Sequence, residues 1–111
     1  MSSNQKLRRR AEYTRVYERG TRLRTRFMTC FALANELGVP RLGIAASSKI
    51  GNAVIRNKAK RRTRALFKAS KPLKPVDLVV IPRREMVAAA WRDVEADYRL
   101  ALRRLEKAAT T

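Results

Sequence analysis

Seven cations fall within residues 49–64 (Lys49, Arg56, Lys58, Lys60, Arg61, Arg62 and Arg64), and no carboxylate interrupts them. Apolar residues recur through the same stretch at helical spacing. Like charges one turn apart repel, so the run costs an isolated helix stability. The chemistry it fits is electrostatic: a row of arginine forks and lysine ammonium groups that neutralises phosphates. Residues for bond breaking are scarce by contrast. There is no histidine, the side chain whose ordinary pKa lies nearest neutrality. Cys30 is the sole cysteine, which excludes an intrachain disulfide and a multi-cysteine zinc site. Its neighbours Phe27, Met28, Phe31 and Ala32 mark it as a buried strand thiol. Asp93, Glu95 and Asp97 are spaced by two on a helical pattern, so they do not converge on one point, and they read as partners of a helix dipole.

The whole chain shares the bias. Lys and Arg number 27 against 9 Asp and Glu, a formal charge of +18 on 111 residues. Between Glu36 and Asp77 there are eleven Lys and Arg and no carboxylate. Such an excess favours nucleic acid or an anionic surface over an acidic small metabolite. At 45% hydrophobic residues the chain is too apolar for a disordered basic tail. Its length suits one domain, 1–111, with flexible ends expected at 1–6 and 108–111. No run of about 18 apolar residues exists, and the basic N-terminus lacks the apolar segment of a signal peptide, so the expected location is cytoplasmic, off the membrane.

The elements that must position the cations follow from periodicity. Residues 7–19 read as a first helix, with Leu7, Tyr13, Val16 and Tyr17 as its less polar positions and Gly20 as its stop. Residues 27–34 and 41–46 read as strands around the turn at Gly38, Val39 and Pro40, and are expected to pair as an antiparallel hairpin. Residues 19–25 supply a short edge strand. The basic helix spans 52–68, stopped by Pro72 and Pro75. Residues 77–82 form a strand buried on both faces, and 87–107 a last helix with Trp91, Val94, Tyr98, Ala101 or Leu102, and Leu105 on its apolar stripe. The order α-β-β-(β)-α-β-α defines an α+β fold, an α/β sandwich with a small mixed sheet covered by helices.

At about 100° per residue the basic helix sorts into two sides. Ile55, Ala59 and Leu66 share a narrow arc with Thr63 at its edge. Arg56, Asn57, Lys60, Arg61, Arg64 and Lys68 occupy an adjoining one. Arg62 lies beside the apolar arc, where its guanidinium is expected to snorkel outward. Ser47, Ser48, Lys49, Gly51 and Asn52 place hydroxyls, an ammonium and a flexible glycine at the helix's N-terminal end, a setting suited to an anion.

These residues carry a resemblance. The pattern Lys49-x-Gly51-Asn52-Ala53-Val54-x-Arg56-Asn57-x-x-Lys60-Arg61, preceded by Leu42-Gly43-x-x-x-Ser47, resembles the signature of the bacterial ribonuclease P protein component. Leu7, Arg8, Tyr13, Val16, Tyr17 and Gly20 resemble that family's opening helix, and residues 77–81 its last strand. The resemblance implies a protein that binds the catalytic ribonuclease P RNA and helps it remove the 5′ leader of precursor tRNA. It further implies that Lys49, Asn52, Arg56, Asn57, Lys58, Lys60, Arg61 and Arg64 face the RNA. Tyr13 and Tyr17, where the family usually has phenylalanine, would contact the single-stranded leader between the first helix and the sheet. The unit formed by residues 42–46, the basic helix and residues 77–81 would cross over left-handed, against the general preference.

Four positions depart from the family: Ser48 stands where a basic residue is common, Arg62 and Thr63 where apolar ones are, and Ala65 where an acidic one is. The first is expected to lose a phosphate contact, and the second pair to weaken core packing and add charge. The same resemblance implies that the RNA holds the catalytic Mg²⁺ and does the chemistry; no cofactor or metal site is assigned to the chain itself, and no obligate protein partner is expected. A ribosomal-protein-like structural RNA binder is the alternative.

Overall fold

The computed structural model describes residues 5–109. Along the chain run α1 (Arg10–Arg19), β1 (Thr21–Arg24), β2 (Met28–Ala34), β3 (Arg41–Ile44), α2 (Ala53–Ala69), β4 (Val76–Pro82), α3 (Glu85–Ala88) and α4 (Trp91–Ala109). The strand order is β1-β2-β4-β3. β4 dictates this arrangement. Nearly all of its residues are buried, and a strand apolar on both sides is stable only in the middle of a sheet covered on both faces.

The hairpin expected between residues 27–34 and 41–46 therefore does not form. β4 takes the place between them, antiparallel to β2 over seven residues and parallel to β3 over four. The turn after β2 permits a hairpin, but the longer strand, apolar on both faces apart from Asp77, wins the central position. β2 instead forms its hairpin with β1, the edge strand expected at 19–25. β3 and β4 are thus parallel neighbours joined through α2, the unit to which the expected crossover applies.

Side chains alternate across the sheet. One face carries Met28, Cys30, Leu42, Leu78 and Val80 against Leu66 and Phe67 of α2 and Val94, Tyr98, Ala101, Leu102 and Leu105 of α4. The other carries Val79 with the partly buried Phe31, Leu33 and Ile81, packed against Leu7, Tyr13 and Val16. Burial pushes the Cys30 thiol up to about 12, so it stays protonated. Tyr98 donates to the Ser70 carbonyl at 2.8 Å, fastening the C-terminal end of α2 to α4.

The last helix begins later than expected. Residues 85–88 form α3, Ala89 is extended (φ −73°, ψ 156°), and α4 starts at Trp91. Alanine-rich sequence through residues 88–90 favours an unbroken helix locally. Tertiary contact overrides it: the Arg62 guanidinium takes the Met86 and Ala89 carbonyls, both at 2.8 Å. Trp91 leaves the apolar stripe and is 37% exposed beside that guanidinium. At the chain ends, residues 1–4 and 110–111 lie outside the described residues. Lys6 pairs with Leu42 in a parallel bridge, and α4 runs to Ala109.

Candidate nucleic-acid interface

The basic helix α2 starts where its caps dictate. Gly51 has φ 148°, a conformation that side chains disfavour, and a Cβ there would lie 2.8 Å from the Ile55 side chain. Asn52 then accepts from the Ile55 amide at 3.1 Å, the usual N-cap bond. One turn earlier, Ser47 Oγ accepts from the Lys49 amide at 3.3 Å. Lys49 and Asn52 are both exposed at this entrance.

Asn57, Arg61, Arg64 and Lys68 are exposed along α2, and Arg56 and Lys60 are half-buried on the flank beside them. Among the described residues, none of these cations pairs with a carboxylate. Arg56 Nε is buried without a hydrogen-bond partner, so part of that guanidinium's donor capacity is unused. The two arcs of the helix are less separate than spacing implies. Phe67 is fully buried although it falls in azimuth between Arg56 and Lys60, because α2 turns its C-terminal half into the core. Lys58 lies on the opposite flank from Lys60, on the side of Arg62, so the structure does not bring it onto the same strip.

Arg62 behaves unlike the expectation. Arg62 does not snorkel to solvent. It caps α3 through the two carbonyl bonds and lies over the Trp91 ring, 5.8 Å from its centroid. Thr63 is fully buried, and its hydroxyl donates to the Ala59 carbonyl at 2.8 Å. The helix spacing that showed Arg62 beside the apolar arc held no sign of the α3 carbonyls waiting there.

The tyrosines lie on the opposite face of the sheet. Tyr13 packs closely against Gly43, where a Cβ would stand 2.7 Å from the ring, so glycine is needed for this approach. Tyr17 is 37% exposed and meets Phe31 edge to face, with centroids 5.0 Å apart and planes at 73°. Burial, with Tyr13 nearby, raises the Tyr17 pKa, so its phenol remains neutral. Phe31 went unnoticed as a site residue because its face depends on which side of the sheet α1 covers. Register adds Arg22 opposite Phe31 and Arg24 opposite Thr29, both exposed on this same face.

An ion-pair network holds α1 in place. Arg41 grips both oxygens of Asp77 at 2.9 and 2.8 Å and reaches Glu12 at 2.7 Å. Glu12 also accepts the amides of Arg9 and Arg8 at 2.9 and 3.0 Å. Those two amides, then Arg41, bring its carboxyl down to about 2 despite partial burial. Asp97 departs from the helix-dipole reading: it takes the Thr25 hydroxyl and the Phe27 amide, holding the β1–β2 loop. Glu12, Asp77 and Asp97 are thus engaged in structure, and among the described residues no group of three or more Asp, Glu or Cys is placed to hold a metal. Among the described residues, no helix is long and apolar enough to cross a membrane.

A mixed sheet with one unpaired cationic helix and, on its other face, half-exposed aromatics defines a small basic RNA-binding protein. The profile of the Ribonuclease P family matches residues 1–106, and the chain belongs to that family. A ribonuclease P protein component from Syntrophus aciditrophicus is 33% identical over 96 residues, 85% of this chain and 81% of the relative. The solved RNase P protein of Thermotoga maritima superposes with a TM-score of 0.81 at 30% identity, covering 89% of this chain and 96% of its own. That of Staphylococcus aureus gives 0.77 at 30% identity, covering 95% and 94%.

Proposed function

We propose that this chain works in the ribonuclease P ribonucleoprotein as its RNA-gripping and substrate-positioning subunit, in the cytoplasm. Lys49, Asn52, Arg56, Asn57, Lys60, Arg61 and Arg64 bind the ribonuclease P RNA, with Lys58 at the margin of that surface. Tyr13 and Tyr17, joined by Phe31, receive the single-stranded 5′ leader of precursor tRNA. Stacking on these rings tolerates any base, so the leader is held without strict sequence preference. The RNA subunit performs the cleavage and holds the Mg²⁺ it requires. The protein lowers the barrier indirectly, by holding the substrate in register.

The carrying observation is the row of α2 cations without a carboxylate partner among the described residues, on a helix whose other arginine, Arg62, gives its Nη1 to two backbone carbonyls. Charge left unpaired by the fold favours an external polyanion. The absence, among the described residues, of a metal-gripping carboxylate set favours assigning the chemistry to the RNA. The test is reconstitution with a bacterial ribonuclease P RNA at low Mg²⁺, with leader removal from precursor tRNA as the readout. The chain is expected to stimulate cleavage strongly. No stimulation, together with co-purification with ribosomes, would instead support a structural ribosomal role.

A further inference from the structure

Periodicity assigns Trp91 to the apolar stripe of the last helix, yet the fold leaves it partly outside the core. α3 stops at Ala89 and the chain restarts as α4 at Trp91, which keeps 37% of its surface exposed. The indole is also held in place. Arg62 Nη1 donates to the Met86 and Ala89 carbonyls at 2.8 Å each, which fixes the guanidinium over the ring, 5.8 Å from its centroid. Lys58 and Arg62 are spaced by four on the flank of α2 away from Arg56 and Lys60, and exposed Arg61 lies between the two flanks. Arg92 follows the indole and Arg84 precedes α3, both exposed. Among the described residues, Lys58, Arg61, Arg84 and Arg92 pair with no carboxylate. Glu85 and Glu95 have partners of their own, Arg83 at 3.2 Å and Arg99 at 3.8 Å. Asp93 lies about 200° around α4 from the indole.

We propose that Trp91 is a stacking platform for one unpaired base of the ribonuclease P RNA, with Arg62 as the residue that positions the ring. An indole already fixed by a guanidinium loses little side-chain freedom when a flat ligand settles on it. Every nucleobase offers a π-face to such a ring, and its neighbouring phosphates carry the charge that Lys58, Arg61 and Arg92 are free to meet. The base must be unpaired, because a duplex keeps the faces of its bases stacked on one another. α2 and α4 share one face of the sheet, and Tyr13 and Tyr17 lie on the other. The platform therefore widens the grip of α2 on the catalytic RNA and takes no part in the path through the tyrosines. The inference rests on the reading above for the identity of that RNA.

Trp91 is the only tryptophan of the chain, so its fluorescence reports this site alone. The full chain is titrated with ribonuclease P RNA while fluorescence lifetime and acrylamide quenching are followed, with filter binding in parallel. The expected result is a shortened lifetime and a loss of acrylamide access, both saturating with the bound fraction. An unchanged lifetime with the RNA fully bound overturns the proposal. Substitution separates stacking from mere shielding. Trp91→Leu should weaken the complex about tenfold at matched folded fraction, within the usual worth of one stacked base, and Trp91→Phe, which keeps an aromatic face, only about threefold. Equal losses in the two variants, or none in either, overturn it as well. Failure of the parent to bind ribonuclease P RNA on the filter would instead remove the reading above. An unstructured oligoribonucleotide then decides the platform by itself: a shortened lifetime keeps it, and an unchanged one ends it.

Discussion

Arg61 and Arg62 are adjacent on α2, yet one faces solvent and the other is locked beneath α3. Arg61 is exposed without an ion-pair partner, whereas Arg62 holds two carbonyls and covers an indole. Arg41 repeats the second case on the α1 side, bound by Asp77 and Glu12. Positive charge in this chain thus has two uses. On the α2 strip it is left for an outside partner, and elsewhere it closes the fold. The difference teaches that counting cations overstates an RNA interface unless each is checked for an internal acceptor.

The largest effect should come from removing the free charge. The triple variant Arg56→Ala, Lys60→Ala, Arg61→Ala is expected to weaken binding to ribonuclease P RNA by about a thousandfold or more, at roughly one tenfold step for each lost charge-assisted contact. The log–log salt dependence, expected near −4 to −5 for the parent with about five or six contacts, should become shallower by about 2 to 3. Filter binding across a salt series, with circular dichroism to confirm folding, checks both.

Arg62→Ala sharpens the contrast from the other side. Leaving the Met86 and Ala89 carbonyls without their donor should cost about 2–3 kcal/mol of stability. RNA affinity at matched folded fraction should change far less than for Arg61→Ala. If urea unfolding showed no destabilisation while RNA affinity fell, the division between the two arginines would collapse.

Tyr17→Ala should lower affinity for leader-bearing precursor about tenfold, within the usual worth of one stacked base, and leave leaderless tRNA unchanged. Phe31→Ala should follow the same pattern, because Tyr17 rests edge-on against it. Equal losses on both substrates would place the tyrosines outside the leader path.

The smallest effect concerns acid. The Glu12 carboxyl sits at about 2, well below its ordinary 4.5, chiefly through the amides of Arg9 and Arg8 and also through Arg41. Because the folded-state value is depressed, the stability it contributes is complete above pH 4.5 and is lost as pH falls towards 2. Melting temperatures over that window should fall more steeply for the parent than for Glu12→Gln, which starts lower at neutral pH. Parallel curves would show that α1 is not held through this carboxylate.

Much of the cationic helix surface was legible beforehand, and for local reasons. The span of α2, its Gly51–Asn52 entrance and the strip of Arg56, Lys60, Arg61 and Arg64 follow from spacing within a single helix. The edge strand at 19–25 and the doubly buried strand at 77–82 likewise follow from composition over a few residues. The misreadings share a different cause. The β2–β3 hairpin, the unbroken last helix and the outward Arg62 were each judged against neighbours in sequence, and each was decided by a partner far along the chain.

The amino-acid sequence by itself determined the charge, its concentration on one helix, the family and the α+β order of elements, because these depend on composition and short-range periodicity. Only the tertiary structure decided which cations are free. It placed β4 between β2 and β3, set Phe31 beneath Tyr17, and bound Arg62 to the end of α3. Those outcomes are competitions among distant groups for one strand edge, one apolar face or one pair of carbonyls, and no local pattern ranks the competitors.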